Sequence, residues 1–553
     1  MLSTLGSCAA VMALIAWVSY LKSRGGTGTA TGYFLAGRGL TGTFIAGSLL
    51  LTNLSAEQLI GLNGSAFAFN LSSMAWEVTA VFAMILMAMV LLPRYLTGGF
   101  TTLPEFLGRR FDQRVRRFTV ALFILGYGLV TMPAVLYSGA VAVLQLFDLS
   151  ALLSLHPNTA LILTIGLIAL VGGLYAIAGG LKAVAVSDTL NGIGLLIIGT
   201  LVPVLGLIKL GEGSFAAGLA QLLTQHTHKL NAVGAATDPT PFSTLFTGMI
   251  LANLFYWGTN QYVIQRTLGA NSLAEGQKGV LLSGLFKLLI PLFMMIPGVI
   301  AFHLYGASLD SMDQAYPRLA ADVLPAALGG FFLAVLLGAV FSSFNSLLNS
   351  AATLLCVDVL GPLWEVRKKP LNDAQMIRLA RWTGFAAAVA ALSIAPLLHF
   401  ADEGLWQVVR KFTGFYNIPI IAIMTAALCL PRAPASAAIQ AMVFHLIAYP
   451  LATFVWDTGI HFIHLYAILF AIEVAIMWVG GRLRPAPIPH PVDGGTAPVD
   501  MAPWRWTPWV AVGLCLAVVC IYLLFSPLGL AGSLSVGLLE TQTTHMTVFI
   551  LSI

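Results

Sequence analysis

The chain has 553 residues, of which 58% are hydrophobic and only 9% charged. A soluble globular protein carries about 25% charged residues, so the composition describes an integral membrane protein and excludes a soluble enzyme or binding module. The formal net charge of +5 has to be read loop by loop and does not point to nucleic acid.

Runs of about 20 apolar residues, the length that crosses a bilayer, fall at 5–21, 41–66, 71–93, 118–146, 159–178, 183–208, 243–265, 278–304, 325–357, 375–398, 411–430, 433–456, 459–480 and 507–526. These fourteen segments predict an all-α polytopic membrane protein. Lys22 and Arg24 follow the first run and no basic leader precedes it, which reads as a retained helix rather than a signal peptide. With the N-terminus outside, 21 of the 27 Lys and Arg residues, Arg266 among them, fall in inside loops. Only Lys209, Lys229 and Arg318 fall in outside loops. That asymmetry satisfies the positive-inside rule and predicts both termini outside.

The second run is interrupted at 48–58, where Thr52, Asn53, Ser55, Glu57 and Gln58 replace the apolar pattern. Backbone polar groups inside a bilayer need partners within the protein, so such a break is tolerated where it lines an enclosed cavity. A polar face packed on neighbouring helices is the alternative. The seventh run breaks in the same way, at Gly258-Thr259-Asn260, a few residues after Asn253. Broken helices in matching positions point to an inverted-repeat transporter with a binding site at the midplane. The repeats are then 41–209 and 243–432. A first helix and inside loop (1–40) precede them, and an outside loop (210–242) separates them. Accessory helices (433–480), an inside Pro/Gly linker (481–506) and a last helix with an outside tail (507–553) follow.

Glu77 and Lys287 lie inside apolar runs, where an ionisable group costs about 2.5 kcal/mol or more and marks a functional site by default. They could bind a ligand or simply pair with each other. The five cysteines are scattered, with no CxxC or Cys/His spacing, so neither a metal centre nor a disulfide framework is expected. No nucleophile–base constellation suggests an intramembrane enzyme.

The stretches Tyr33-Phe-Leu-Ala-Gly-Arg38, Asn53-Leu-Ser-Ala-Glu-Gln58, Tyr256-Trp-Gly-Thr-Asn-Gln261, Gln265-Arg-Thr267 and Ala274-Glu-Gly-Gln-Lys-Gly279 resemble the sodium/solute symporter family, most of all its sodium/glucose and galactose branch, in register from about residue 30 to 430. The resemblance implies a LeuT-type five-plus-five inverted repeat and alternating access driven by a sodium gradient. It implies sugar-hydroxyl contacts from Gln58, Glu77, Asn253 and Lys287. These groups suit the task, since carboxylate and amide oxygens accept O–H bonds while ammonium and amide N–H groups donate. It also implies Tyr256 stacked under the sugar as an inner gate, with Asn53 holding its hydroxyl and Trp257 beside it. Leu62, Trp76 and Trp406 fall at outer-gate positions.

For sodium, the resemblance implies the carbonyls of Leu51, Leu54 and Ala339 and the hydroxyls of Ser342 and Ser343. A hard cation wants such oxygen ligands. By sequence alone, a Ser-Ser pair would more often bond back to its own helix. Asp188 falls on the implied sodium exit route; its rival reading is a pair with Lys182. Two positions depart from the galactose-type pattern: Ala80 replaces a serine and Arg410 a glutamine. Arg410 could clamp a carboxylate, as in a sugar acid, or snorkel to the outer surface. The reading is a sodium-coupled importer of a galactose- or glucose-like hexose or related polyol. A sugar-acid symporter and a non-transporting membrane sugar sensor are the alternatives. The co-transported ion is Na+ and the setting a bacterial inner membrane. The partners are the sugar and the lipid bilayer, not nucleic acid, and the chain works as a monomer or loose homodimer.

Overall fold

A computed structural model describes residues 2–24, 28–147, 154–309, 311–367, 371–400, 405–456, 458–487 and 497–532. Each of the fourteen apolar segments is helical in it. Among the described residues eleven helices are long and apolar enough to cross a membrane, twelve if the bent pair at 42–68 counts as one span. The remaining two segments are the helix Pro157–Gly173 and the broken segment at 248–268.

We label the principal helices in chain order. They are α1 (Leu2–Ser23), α2 (Gly42–Asn53), α3 (Ala56–Ala68), α4 (Leu71–Thr97), α5 (Gln113–Leu144) and α6 (Pro157–Leu210). Next come α7 (Gly248–Gly258), α8 (Gln261–Leu268), α9 (Leu273–Tyr305), α10 (Ala326–Glu365) and α11 (Asp373–Leu398). The last are α12 (Leu405–Cys429), α13 (Ala435–Pro450), α14 (Phe462–Leu483) and α15 (Thr507–Leu524).

The fifth and sixth apolar segments form one helical run, turned at Gly180 with φ 61°. Only glycine takes that conformation cheaply, and a side chain there would also meet the Tyr33 carbonyl at 3.0 Å. The broken helix α2 packs against α6, α9 and α10, at the middle of the bundle. Burial separates core from periphery. The central window of α4 is 72% buried and those of α5, α9 and α10 67%, against 11% for α1 and 22% for α11 and α15. Helices with so little buried surface turn most of their apolar side chains outward, as lipid contact requires.

The 211–247 segment carries the helix Phe215–Thr224 and is anchored by Lys229. Its ammonium donates to the carbonyls of Phe67 and Ala68 at 2.8 and 3.0 Å and sits 4.1 Å from the centre of the Phe302 ring. Those carbonyls end α3, where no helical N–H follows to meet them. Lys229, expected as a plain loop charge, is therefore a buried helix cap.

Candidate functional site

Both predicted helix breaks are present, and each has a local cause. Between α2 and α3 the axis turns by 58°. Ser55 starts α3 as an N-cap whose hydroxyl accepts from the Gln58 amide at 3.3 Å. In a continuous helix that amide would close on the Leu54 carbonyl. The Ser55 amide, which would close on the Leu51 carbonyl, turns instead to Asn53 O at 2.9 Å. The carbonyls of Leu51 and Leu54 are thus released from their usual partners, as an ion site built on backbone requires. Between α7 and α8, the Thr259 and Asn260 amides both close on the Phe255 carbonyl, at 2.9 and 2.8 Å. The chain then restarts from an extended Asn260. The Gly258 carbonyl at the break accepts from the Tyr95 hydroxyl at 2.9 Å.

The two breaks, with α4, α5, α10 and α12, enclose a cavity of about 70 Å³. Asn53, Gln58, Glu77, Asn253, Tyr256 and Arg410 all stand on its wall, as do Trp76 and Trp257. Glu77 accepts from Gln58 Nε2 at 2.9 Å and is paired with Lys287. The Lys287 ammonium stands just behind the wall, donates also to Asn53 Oδ1 and lies 5.1 Å from the centre of the Trp257 ring. Both residues of the pair are 1% exposed. The pair and the convergence on the cavity therefore coexist, because Lys287 balances Glu77 from behind while Glu77 faces inward. Asn253 donates to Thr79 Oγ1 at 3.0 Å. The Gln58 Oε1 acceptor is buried with no protein partner among the described residues. A buried, unpaired acceptor is costly, and a ligand hydroxyl would relieve it.

Towards one side, Tyr262 donates to the Tyr256 hydroxyl at 3.0 Å. Tyr127 donates to Asn260 Oδ1 at 2.6 Å and packs edge-on to Tyr262 and Tyr416. On another side the Arg410 guanidinium lies 4.8 Å from the centre of the Trp76 ring, within coulombic reach of Glu57. Arg410 is thus part of the cavity wall rather than a surface charge. Leu62 is fully buried but not on the wall. At Trp406 the side chain lies outside the described residues.

Ser343 reaches the same cavity and donates to the Thr52 carbonyl at 3.3 Å, which sets α10 against the α2–α3 break. The Thr52 and Ser342 hydroxyls are buried without hydrogen-bond partners among the described residues, and Ala339 is buried one turn before Ser342. Carbonyls freed at Leu51 and Leu54, the Ala339 carbonyl and two adjacent hydroxyls are the oxygen chemistry a sodium ion takes.

Asp188 does not pair with Lys182. It is fully buried, accepts from Ser48 at 2.6 Å and faces Arg266 at 3.6 Å. Arg266, expected in an inside loop, is 1% exposed. It donates to Ser48 at 2.6 Å and also to Ser346 and the Tyr262 carbonyl. A buried arginine needs this many partners to offset its lost hydration. Sequence reasoning missed Arg266, Ser48, Tyr127, Tyr262 and Tyr416 as members of the site. The signal for Arg266 was its place one residue beyond the seventh apolar run, within the second half of the broken helix.

The protein-family model described as the sodium:solute symporter family matches residues 33–444. The chain is 42% identical over 512 residues to the uncharacterized symporter YidK of Escherichia coli K12, spanning 93% of this chain and 88% of that protein. It is 29% identical over 451 residues to the sodium/glucose cotransporter of Vibrio parahaemolyticus, covering 77% and 80% of the two chains. Its fold matches a substrate-bound, outward-open sodium-coupled sialic acid symporter with a TM-score of 0.75, at 20% identity over 88% of this chain and 99% of the other. The chain belongs to the sodium:solute symporter family and is a multi-span sodium-coupled transporter, not an enzyme.

Proposed function

We propose that the chain imports a neutral sugar together with sodium by alternating access, across fourteen spans arranged as a five-plus-five repeat with both termini outside a bacterial inner membrane. One observation carries the reading. Hydroxyl-binding groups from both broken helices converge on one buried cavity, and Ser343 of the ion region shares its wall. In this reading Glu77, Gln58 and Asn253 bind sugar hydroxyls, and Lys287 and Asn53 hold Glu77 and Tyr256 in place. Tyr256, with Trp257 beside it, covers the apolar face of the pyranose ring, and Trp76 closes over the sugar. Leu51, Leu54, Ala339, Ser342 and Ser343 bind sodium, which leaves past Asp188. The acids Glu57 and Glu77 and the bases Arg410 and Lys287 sum to zero around the cavity, which suits an uncharged cargo.

Arg410 on the cavity wall supports a second reading, a sugar acid held by the guanidinium. Uptake of labelled galactose, glucose, inositol and galacturonate into proteoliposomes under an inward sodium gradient separates the two. Sodium-dependent accumulation of a neutral sugar upholds the first. Accumulation of galacturonate alone replaces it with the second.

A further inference from the structure

The accessory helices α13 and α14 carry a buried polar cluster outside the cavity. His445 and Glu473 are each 0% exposed, although they lie on different helices among apolar neighbours. His445 Nε2 is 3.0 Å from the Gly414 carbonyl, an acceptor only, so this nitrogen carries a proton. Nδ1 is 2.6 Å from Glu473 Oε1, and that contact holds one further proton between its two partners. The pair is then neutral overall, the form that burial at membrane depth favours. The imidazole stacks on Tyr449 at 5.3 Å and 11°. Tyr449 itself donates to the Lys411 carbonyl at 2.6 Å, and Tyr466 donates to the Arg410 carbonyl at 2.7 Å.

Three donors from α13 and α14 therefore grip three carbonyls of one stretch of α12, at 410, 411 and 414. Contact there is tight, since a Cβ on Gly414 would lie 2.3 Å from the Tyr449 hydroxyl. The same stretch carries Arg410, Thr413 and Asn417 to the cavity wall. The proposed sodium oxygens come from the α2–α3 break and α10, which none of the cluster's hydrogen bonds reaches among the described residues.

We infer that His445, oriented by Glu473, is a positioning residue of the cargo site. With Tyr449 and Tyr466 it fixes the 410–414 stretch of α12, and so sets where Arg410 and Thr413 meet the cargo. The inference rests on the proposed cargo cavity, so its test has one readout that needs no cargo. His445→Phe keeps the ring and its stack but removes both hydrogen bonds. The half-saturating sugar concentration should rise about tenfold, the worth of roughly one lost hydrogen bond near 1.4 kcal/mol, while half-saturating sodium stays unchanged. Glu473→Gln, which can donate to Nδ1 and leave the proton of Nε2 on Gly414, should behave as wild type. Hydrogen–deuterium exchange of the amides at 410–418, read without cargo, should speed up in His445→Phe alone. If His445→Phe does not reach the membrane, Tyr466→Phe removes one hydroxyl and is read by the same measurements. Unchanged exchange with unchanged sugar half-saturation overturns the inference, as does a parallel loss of sugar and sodium affinity. Faster exchange in a protein whose wild type moves no sugar would sink the function proposed above and leave the clamp standing.

Discussion

Removing Lys287 and then neutralising its partner separates folding from cargo binding. Lys287→Ala leaves the Glu77 carboxylate, 1% exposed, with Gln58 as its remaining donor. Breaking a buried pair from one side costs about 3–5 kcal/mol, whereas replacing both charges with well-packed neutral groups is often close to neutral. The single variant should therefore be extracted in poor yield and lose its gel-filtration peak at a lower temperature than wild type. Lys287→Met with Glu77→Gln should recover the peak. It should not recover transport, because the charged acceptor facing the cavity is gone. Hydrogen bonds to charged groups contribute about 1.5–3 kcal/mol, so the half-saturating sugar concentration should rise roughly 10- to 150-fold. Proteoliposome uptake, normalised to folded protein, reads this directly. A double variant that folds and transports like wild type would refute the reasoning and leave the pair as structural.

Gln58→Ala removes both a donor to Glu77 and the unpaired acceptor, and should raise half-saturating sugar at least about tenfold; an unchanged value would move the sugar site elsewhere. Ser343→Ala should raise the half-saturating sodium concentration in uptake assays with little change in folded yield, and an unchanged sodium requirement would remove Ser343 from the ion site. At the end of the bundle carrying the 211–247 segment, burial and the nearby His464 push His461 down to about 4. The folded protein then binds fewer protons there than the unfolded chain between pH 4 and about 6.5. Stability should fall as pH drops through that window, and His461→Gln should flatten the dependence in a thermal-unfolding series.

Much of the fold was legible because bilayer physics writes it in long runs. All fourteen apolar segments are helical, and the polar interruptions at 52–58 and 258–260 mark real breaks. Charges judged by local hydropathy were less secure. Arg266 and Lys229 read as loop residues, yet each is buried by partners far off in sequence, such as Asp188 and the Phe67 carbonyl. A window of neighbours cannot see such partners. Tyr256 was expected at the site, but its neighbours Tyr127 and Tyr262 were hidden for a related reason. A tyrosine in a membrane helix reads as an interface anchor until several helices bring their hydroxyls together. The His445–Glu473 pair, 28 residues apart on adjacent helices, left no local pattern at all.

The central claim is that sodium and an uncharged sugar cross together. Moving one charge through about 100 mV is worth about 2.3 kcal/mol, enough for roughly 50-fold accumulation. The most direct measurement is the current from protein-loaded membranes when galactose or glucose is added in sodium, then in choline. The account predicts an inward positive current in sodium and none in choline, because a neutral cargo leaves the sodium charge uncompensated. No current with any neutral sugar, together with sodium-dependent uptake of galacturonate, would contradict it.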